Sequence, residues 1–441
     1  MDYEEFYKLE DIRVDTSILY NIEPAGNGTE YRESITSYMV RLAKVHNIKL
    51  GGLINGIIGP ALKKKYLIRS AELGGNRFFD GAKVLNGLSS NSLDIVNVLE
   101  HLTMRKDLMG LTLQTWNPIM TNRGLLKASL SWCPKCISEF KDQLGFIYYP
   151  LLWFIKPVGC CLKHELMLVE KCQRCKNKIP ILHRSGENGI CPNCKEDLSL
   201  AKPVLINESN YEEESYREDS IGKLIAFAES LEYNLDKDII KTKLNQINKY
   251  YQNRYQNSIG KIVGIPKVTF YNWLRGESIP TLEGILQLCF ILKISLIDFY
   301  CGESIEPVVL PEKKMTNSRQ IKRRKLDYVR IEEQLKSYLY NAIPKSMESI
   351  AKEIEICKRS LYRVFPEICK ELSKKYQDEI NLRSLRRKNQ IIELINQSIK
   401  ELEKKGKKVS QKNIESNLEI SSLLRERFAK EYLNNYLISM D

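Results

Sequence analysis

Between residues 133 and 194 the chain sets seven cysteines and one histidine in four pairs of the same build. Cys133-Pro-Lys-Cys136, Cys172-Gln-Arg-Cys175 and Cys191-Pro-Asn-Cys194 are C-x2-C, and Cys161-Leu-Lys-His164 is C-x2-H. A C-x2-C turn presents two thiolates to one ion, and two such turns close a tetrahedral site. Cys172, Cys175, Cys191 and Cys194, with a 15-residue insert, have ribbon spacing. Cys133, Cys136, Cys161 and His164 form a Cys3His set across a 24-residue insert. The pattern predicts two structural Zn2+ ions, because four protein ligands leave no open position for catalysis. It also predicts a module that folds only with its metal. Cys160 falls outside the spacing and is expected as a buried thiol. His183 is expected as an exposed loop residue. Cys289, Cys301, Cys357 and Cys369 are expected as small core side chains.

The rest of the composition removes several function classes. Only four histidines occur, no G-x-x-x-x-G-K-[ST] loop is present, and no convincing G-x-G-x-x-G appears. An enzyme is therefore not expected, and a zinc-dependent nuclease ranks last among the readings. No run approaches the roughly 20 apolar residues of a membrane span, and the N-terminus MDYEEFYKLED is acidic. A cytoplasmic, nucleoid-associated protein without membrane contact is expected, with reduced cysteines.

The formal charge of +13 is unevenly distributed. Residues 311–441 carry 30 Lys/Arg against 19 Asp/Glu, whereas residues 1–310 carry 38 against 36. A basic run containing Arg323, Arg324 and Lys325 opens this tail. Such a run is either a solvated tether or a phosphate-binding arm. The acidic stretch 207–219 reads as a boundary or loop.

Three helix pairs follow. The first runs from Ser258 to a turn at Gly264-Ile265-Pro266 and on through Lys267–Leu274, with a further helix capped by Thr281. It resembles the Cro/XRE repressor fold, and that match directs Lys267, Val268, Thr269, Tyr271 and Asn272 at DNA. The second is capped by Ser346 and packs a seam of Ile350, Ala351, Ile354, Ile356, Leu361 and Val364. It leaves Lys358, Arg359, Ser360, Tyr362 and Arg363 on its outer face, and Pro366 stops it. The third repeats the second at an offset of 64, Ser410 matching Ser346 and Ile414 matching Ile350. Its candidate contacts are Ser422, Arg425, Arg427 and Lys430. A long helix over 382–405, with Arg386 and Arg387 in its basic cluster, either lies on phosphates or is a solvated connector.

The order of WCPKC at 132–136, Tyr148, Tyr149 and Trp153, the C-x2-H and the two later C-x2-C pairs resembles the TniQ/TnsD family of transposon target selectors. Glu33-Ser34-Ile35-Thr36-Ser37-Tyr38 followed by Arg41-Leu42-Ala43 is similar to that family's N-terminal signature. Leu99-Glu100-His101-Leu102-Thr103 and Leu111-Thr112-Leu113 extend the likeness. The resemblance implies a non-enzymatic adaptor for DNA recombination. It would bind double-stranded DNA at an attachment site, recruit an AAA+ ATPase regulator of TnsC type and, through it, the transposase subunits. The alternative within the family is an adaptor joining a CRISPR RNA-guided effector complex to the transposition machinery.

The expected architecture is mainly α. A TniQ-like helical domain occupies 1–125, and two zinc ribbons with short strands occupy 126–205. A Cro/XRE-like helix-turn-helix domain spans 220–310. A basic linker at 311–335 leads to tandem helix-turn-helix repeats over 336–441.

Overall fold

The computed structural model describes residues 17–64, 77–231, 235–255, 259–302, 327–341, 343–418 and 427–438. About 60% of the described residues are helical, and among them the one sheet has two strands. It divides into two compact units, Met1–Ser318 and Arg319–Asp441. No helix among the described residues is long and apolar enough to cross a membrane.

In the first unit, α1 (Ile35–Val45) starts where the Ser34 hydroxyl accepts the Ser37 amide at 3.3 Å. With α2 (Ser90–Thr103) it closes an aliphatic core that includes Leu42, Leu53, Val96 and Leu99. A second core runs from Ala25 to Tyr300 and holds Trp116, Trp132 and Trp153 fully buried. It packs α3 (Pro134–Leu144) and the hairpin β1 (Cys160–Cys161)–β2 (Leu166–Met167). It continues through α4 (Tyr211–Phe227), α5 (Lys237–Tyr255) and the helices after them. The acidic stretch expected as a loop is therefore partly α4. Glu212, Glu213 and Glu214 sit in its first turn, where the helix dipole favours negative charge.

The first of the expected helix pairs follows as α6 (Ile259–Val263) and α7 (Lys267–Arg275), joined through Gly264 at φ 81°. Phe270 and Trp273 are buried under it. An added Cβ at Gly260 would lie 2.5 Å from the Phe270 ring, so α6 and α7 meet at van der Waals contact there. Thr281 caps α8 (Leu282–Leu292) by accepting the Gly284 amide at 3.2 Å. The end of α9 (Leu296–Cys301) is held by buried Lys243, whose Nζ donates to the Asp298 and Phe299 carbonyls at 2.9 Å each. A cation there meets the negative end of the helix dipole.

The second unit is a duplication. Its first repeat comprises α10 (Tyr328–Leu339), α11 (Met347–Glu353), α12 (Lys358–Val364) and the start of α13 (Pro366–Lys404). Its second comprises the end of α13, α14 (Gln411–Asn417) and α15 (Arg427–Ile438). The cores correspond at the same offset of 64: Ile331 with Ile395, Leu335 with Ile399, Ile350 with Ile414. So do the caps, Ser346 accepting from Ser349 N at 3.2 Å and Ser410 from Asn413 N at 3.3 Å.

Five sequence expectations need correction here. Pro366 does not only stop α12; it opens α13, because proline at a first helical turn forgoes an amide that has no partner anyway. The long helix therefore begins 16 residues before Leu382. Val364 is exposed rather than in the seam, being the last residue of α12. Cys357 is an exposed cap residue whose Sγ lies 3.1 Å from Ser360 Oγ, not a core thiol. Cys301 is half-buried, whereas Cys289 and Cys369 are buried as expected.

Candidate metal centres and nucleic-acid interface

The four pairs assemble into two cages. In the first, Cys133 Sγ is 3.5 Å and Cys136 Sγ 3.3 Å from His164 Nδ1. Cys161 Sγ lies 3.7 Å from that nitrogen and 3.6 Å from Cys136 Sγ. In the second, Cys172 and Cys194 approach to 3.5 Å, and Cys175 and Cys191 to 3.8 Å. All donors within each cage lie within 4.8 Å of one another. A tetrahedral ion with bonds of about 2.3 Å to sulfur needs donors about 3.8 Å apart. Each cage therefore fits one such metal ion.

Local backbone explains why these residues converge. Glu165, Lys176 and Lys195, each directly after the second ligand of a pair, have φ of 54°, 59° and 62°. This left-handed residue bends the chain back, so the Lys176 and Lys195 amides bond the Cys172 and Cys191 carbonyls at 2.9 and 3.0 Å. The turn also aims amides at sulfur, and the Asn177 N–H draws the Cys175 thiol down to about 7. The fourth pair is built differently: Cys133 precedes α3, with Pro134 in its first turn, and Cys136 lies within it. Burial of the cages is deep, for Cys133, Cys136, Cys161, Cys172 and Cys191 are all 0% exposed.

Sequence reasoning missed the group behind His164. Its Nε2 lies 2.8 Å from Glu139 Oε1, which leaves Nδ1 facing the cage. Burial raises the Glu139 carboxyl, but hydrogen bonds from Lys163 and His164 prevail and hold it below its ordinary value. A carboxylate behind a ligating imidazole fixes its tautomer and strengthens it as a ligand. The signal was available: Glu139 follows Cys136 by three residues on one helix, and such residues share a face. Cys160 is a buried thiol 3.5 Å from the Glu214 carbonyl and outside the cage, as its spacing implied. His183 is half-buried rather than exposed, since its Nδ1 accepts the Ser185 amide at 3.2 Å.

The N-terminal signature proves to be an internal polar hub. Glu33 is wholly buried, paired with Arg41 and bonded by Ser37 Oγ at 2.8 Å. Ser37 Oγ in turn accepts the Tyr149 amide at 2.9 Å and Asn188 Nδ2 at 3.0 Å. The Tyr149 hydroxyl accepts the Gly189 amide at 2.7 Å. The start of α1 is thus tied to the loops around the cages.

Beside the first cage, buried Glu218 accepts the Tyr31 hydroxyl at 3.2 Å and the Leu162 amide at 3.4 Å. Burial outweighs both bonds and raises its carboxyl to about 7. The folded state then holds a proton that the unfolded state releases near pH 4.5. Stability is expected to fall as pH rises from there through about 7. Glu218→Gln should flatten that part of a urea-denaturation pH series, and an unchanged slope would contradict the assignment.

The candidate DNA contacts divide by surface. Lys267, Val268 and Tyr271 are exposed on α7, with Thr269 and Asn272 half-buried beside them. Lys358, Arg359 and Arg363 are exposed on α12, and Ser360 is half-buried. Tyr362 is a correction: it turns inward, its hydroxyl 2.5 Å from Ser373 Oγ on α13. Arg386 and Arg387 lie on a segment, 381–390, where every residue is exposed. Lys430 is exposed on α15, and Arg427 begins that helix, its side chain lying outside the description. Arg323, Arg324, Lys325, Ser422 and Arg425 lie outside the described residues.

Residues 24–168 match the TniQ family model, which marks a transposition-associated protein. No curated protein matches the chain.

Proposed function

We propose, on the premise that this chain belongs to the TniQ family through residues 24–168, that it is a non-enzymatic target selector. It binds double-stranded DNA at an attachment site and recruits an AAA+ ATPase regulator of TnsC type, which brings the transposase. The observation that carries the reading is the unequal charge. Residues 1–310 are nearly neutral, while the duplicated C-terminal unit holds most of the excess cation and exposes Lys358, Arg359 and Arg363 on one short helix. Phosphate contacts need such cations, and base edges are read by Asn, Arg and Thr from a helix in the major groove.

Zinc is the metal this reading puts in the two cages: Cys133, Cys136, Cys161 and His164 hold one ion, and Cys172, Cys175, Cys191 and Cys194 the other. Bound zinc supplies crosslinks and no chemistry, since each cage is already four-coordinate. The N-terminal domain supplies a face for the regulator. Ile18, Tyr20, Val45, Ile48 and Met104 are exposed near the ends of α1 and α2, where Tyr20 stacks on His46 at 4.3 Å. Apolar side chains grouped on a surface suit protein contact.

Binding of the purified chain to genomic fragments tests the proposal. About eight phosphate contacts give a log–log salt slope near −7. Asn272→Ala or Arg359→Ala is expected to weaken the selected site by about 1–3 kcal/mol while leaving random duplex unchanged. Equal binding of selected and random duplex overturns direct reading. Co-purification with a CRISPR effector complex, without specific binding by the chain alone, moves the function to the guided adaptor. Metal-dependent DNA cleavage overturns the non-enzymatic reading.

A further inference from the structure

The 39 residues of α13 span about 58 Å, and the fully buried ones fall in two groups, 369–372 and 391–402. Cys369 and Leu372 anchor the first repeat; Ile391, Ile395, Ile399 and Leu402 anchor the second. Between them every residue from 381 to 390 is exposed, so among the described residues a solvent-exposed stretch of helix joins the two repeats, with Lys388 Nζ 5.6 Å from the Phe428 ring centre of the second. From Cys369 to Ile395 is 26 residues, a rise of about 39 Å. One turn of B-DNA is 34–36 Å.

The bare span also has a sign. Residues 381–390 contain Arg383, Arg386, Arg387 and Lys388 and no acid, and Arg383 is paired with Glu379 one turn earlier at 2.7 Å. At about 100° per residue, Arg383, Arg386 and Arg387 point within about 70° of the side that carries Cys369 and Leu372. They therefore lie on the side of α13 that faces the first repeat. Further cations, Lys407, Lys408, Lys412 and Lys430, are exposed on the second repeat.

We infer that the two repeats and the bare helix act as a molecular ruler on DNA. One chain engages two segments of the same duplex about one helical turn apart, and the arginines of α13 bridge the phosphates between them. The selected site is then bipartite, with its spacing set by the length of α13 rather than by a dimer. This rests on the DNA-binding reading above and adds the spacing to it.

The test uses the full chain on the site it selects. Hydroxyl-radical footprinting is expected to show two protected segments, 10–12 base pairs between centres, assignable to the second unit because Lys358→Ala with Arg359→Ala weakens one of them. Inserting five base pairs between the segments should reduce wild-type affinity at least tenfold. Leu385→Pro breaks the bare helix away from both cores, and should bring the two spacings within about threefold of each other. Circular dichroism checks that its helix content is otherwise kept. Arg383→Ala with Arg386→Ala, which touches neither core, should make the salt slope shallower by about 1.8. One protected segment, indifference of the wild type to the inserted base pairs, or an unchanged salt slope as if a protein covered the helix overturns the ruler while leaving specific binding intact. Absence of any specific binding overturns both.

Discussion

Cys136→Ser is expected to lower the zinc content of the purified chain from two ions to one and to unfold the module around the first cage. Cys136 Sγ stands 3.6 Å from Cys161 Sγ and 3.3 Å from His164 Nδ1, with no exposed surface. A serine hydroxyl is a far poorer zinc ligand, and the three remaining donors are left buried and unsatisfied. The metal contributes about 10–16 kcal/mol of apparent binding energy in small zinc modules. That compares with the roughly 5–15 kcal/mol by which whole domains are stable. The cage sits in the same core as Trp132 and Trp153, so the loss should spread and appear as insolubility or a collapsed near-ultraviolet signal. Cys160→Ser is the matched control: same burial, directly before the ligand Cys161, outside the cage. It should retain two zincs. Two zincs in Cys136→Ser, or one in Cys160→Ser, would show that the ligands are wrongly assigned.

Arg41→Ala is the second large effect. Glu33 is completely buried and Arg41 is 12% exposed, its guanidinium 4.1 Å from the Phe146 ring centre and donating to the Glu23 carbonyl at 3.2 Å. Burial holds the Glu33 carboxyl above its ordinary value, against the opposing pull of Arg41. Removing the cation leaves a buried carboxylate without its counter-charge, which costs about 3–5 kcal/mol. The double variant Glu33→Gln/Arg41→Ala should recover part of that loss in urea denaturation. The pH dependence has a definite sign. With Arg41 gone, the folded state holds the Glu33 proton more tightly still, so the variant is most nearly normal in acid and loses stability as pH rises. A variant whose deficit is constant across pH would place the energy of Arg41 in its packing on Phe146 instead.

What could be read in the sequence, and what could not, follows from the range of each interaction. The ligand pairs were legible because a tetrahedral site needs donors of a few kinds at short spacing. The caps Thr281, Ser346 and Ser410 and the Gly264 turn were legible because each acts within four residues. The repeat was legible at its caps, and its extension back to Ile331 and Ile395 became visible only through the cores they enter. Glu33, Ser37 and Arg41 looked like a signature without a role, since their partners Tyr149 and Asn188 lie more than a hundred residues away. Tyr362 failed for a similar reason: an aromatic ring with a hydroxyl suits either face of a helix, and Ser373 on the next helix decides. Pro366 misled because proline both ends one helix and begins another well.

The bond from Asn188 to Ser37 crosses 151 residues. At the usual 5–20 residues per second of synthesis, the start of α1 waits about 8–30 s for its partner to be made. Throughout that interval a carboxylate, two hydroxyls and a guanidinium destined for burial stay wet. The N-terminal domain cannot reach its final form on the ribosome until the loop between the last two ligand pairs has emerged. The first part of the chain therefore matures only after a segment made much later, between Cys175 and Cys191, has left the ribosome.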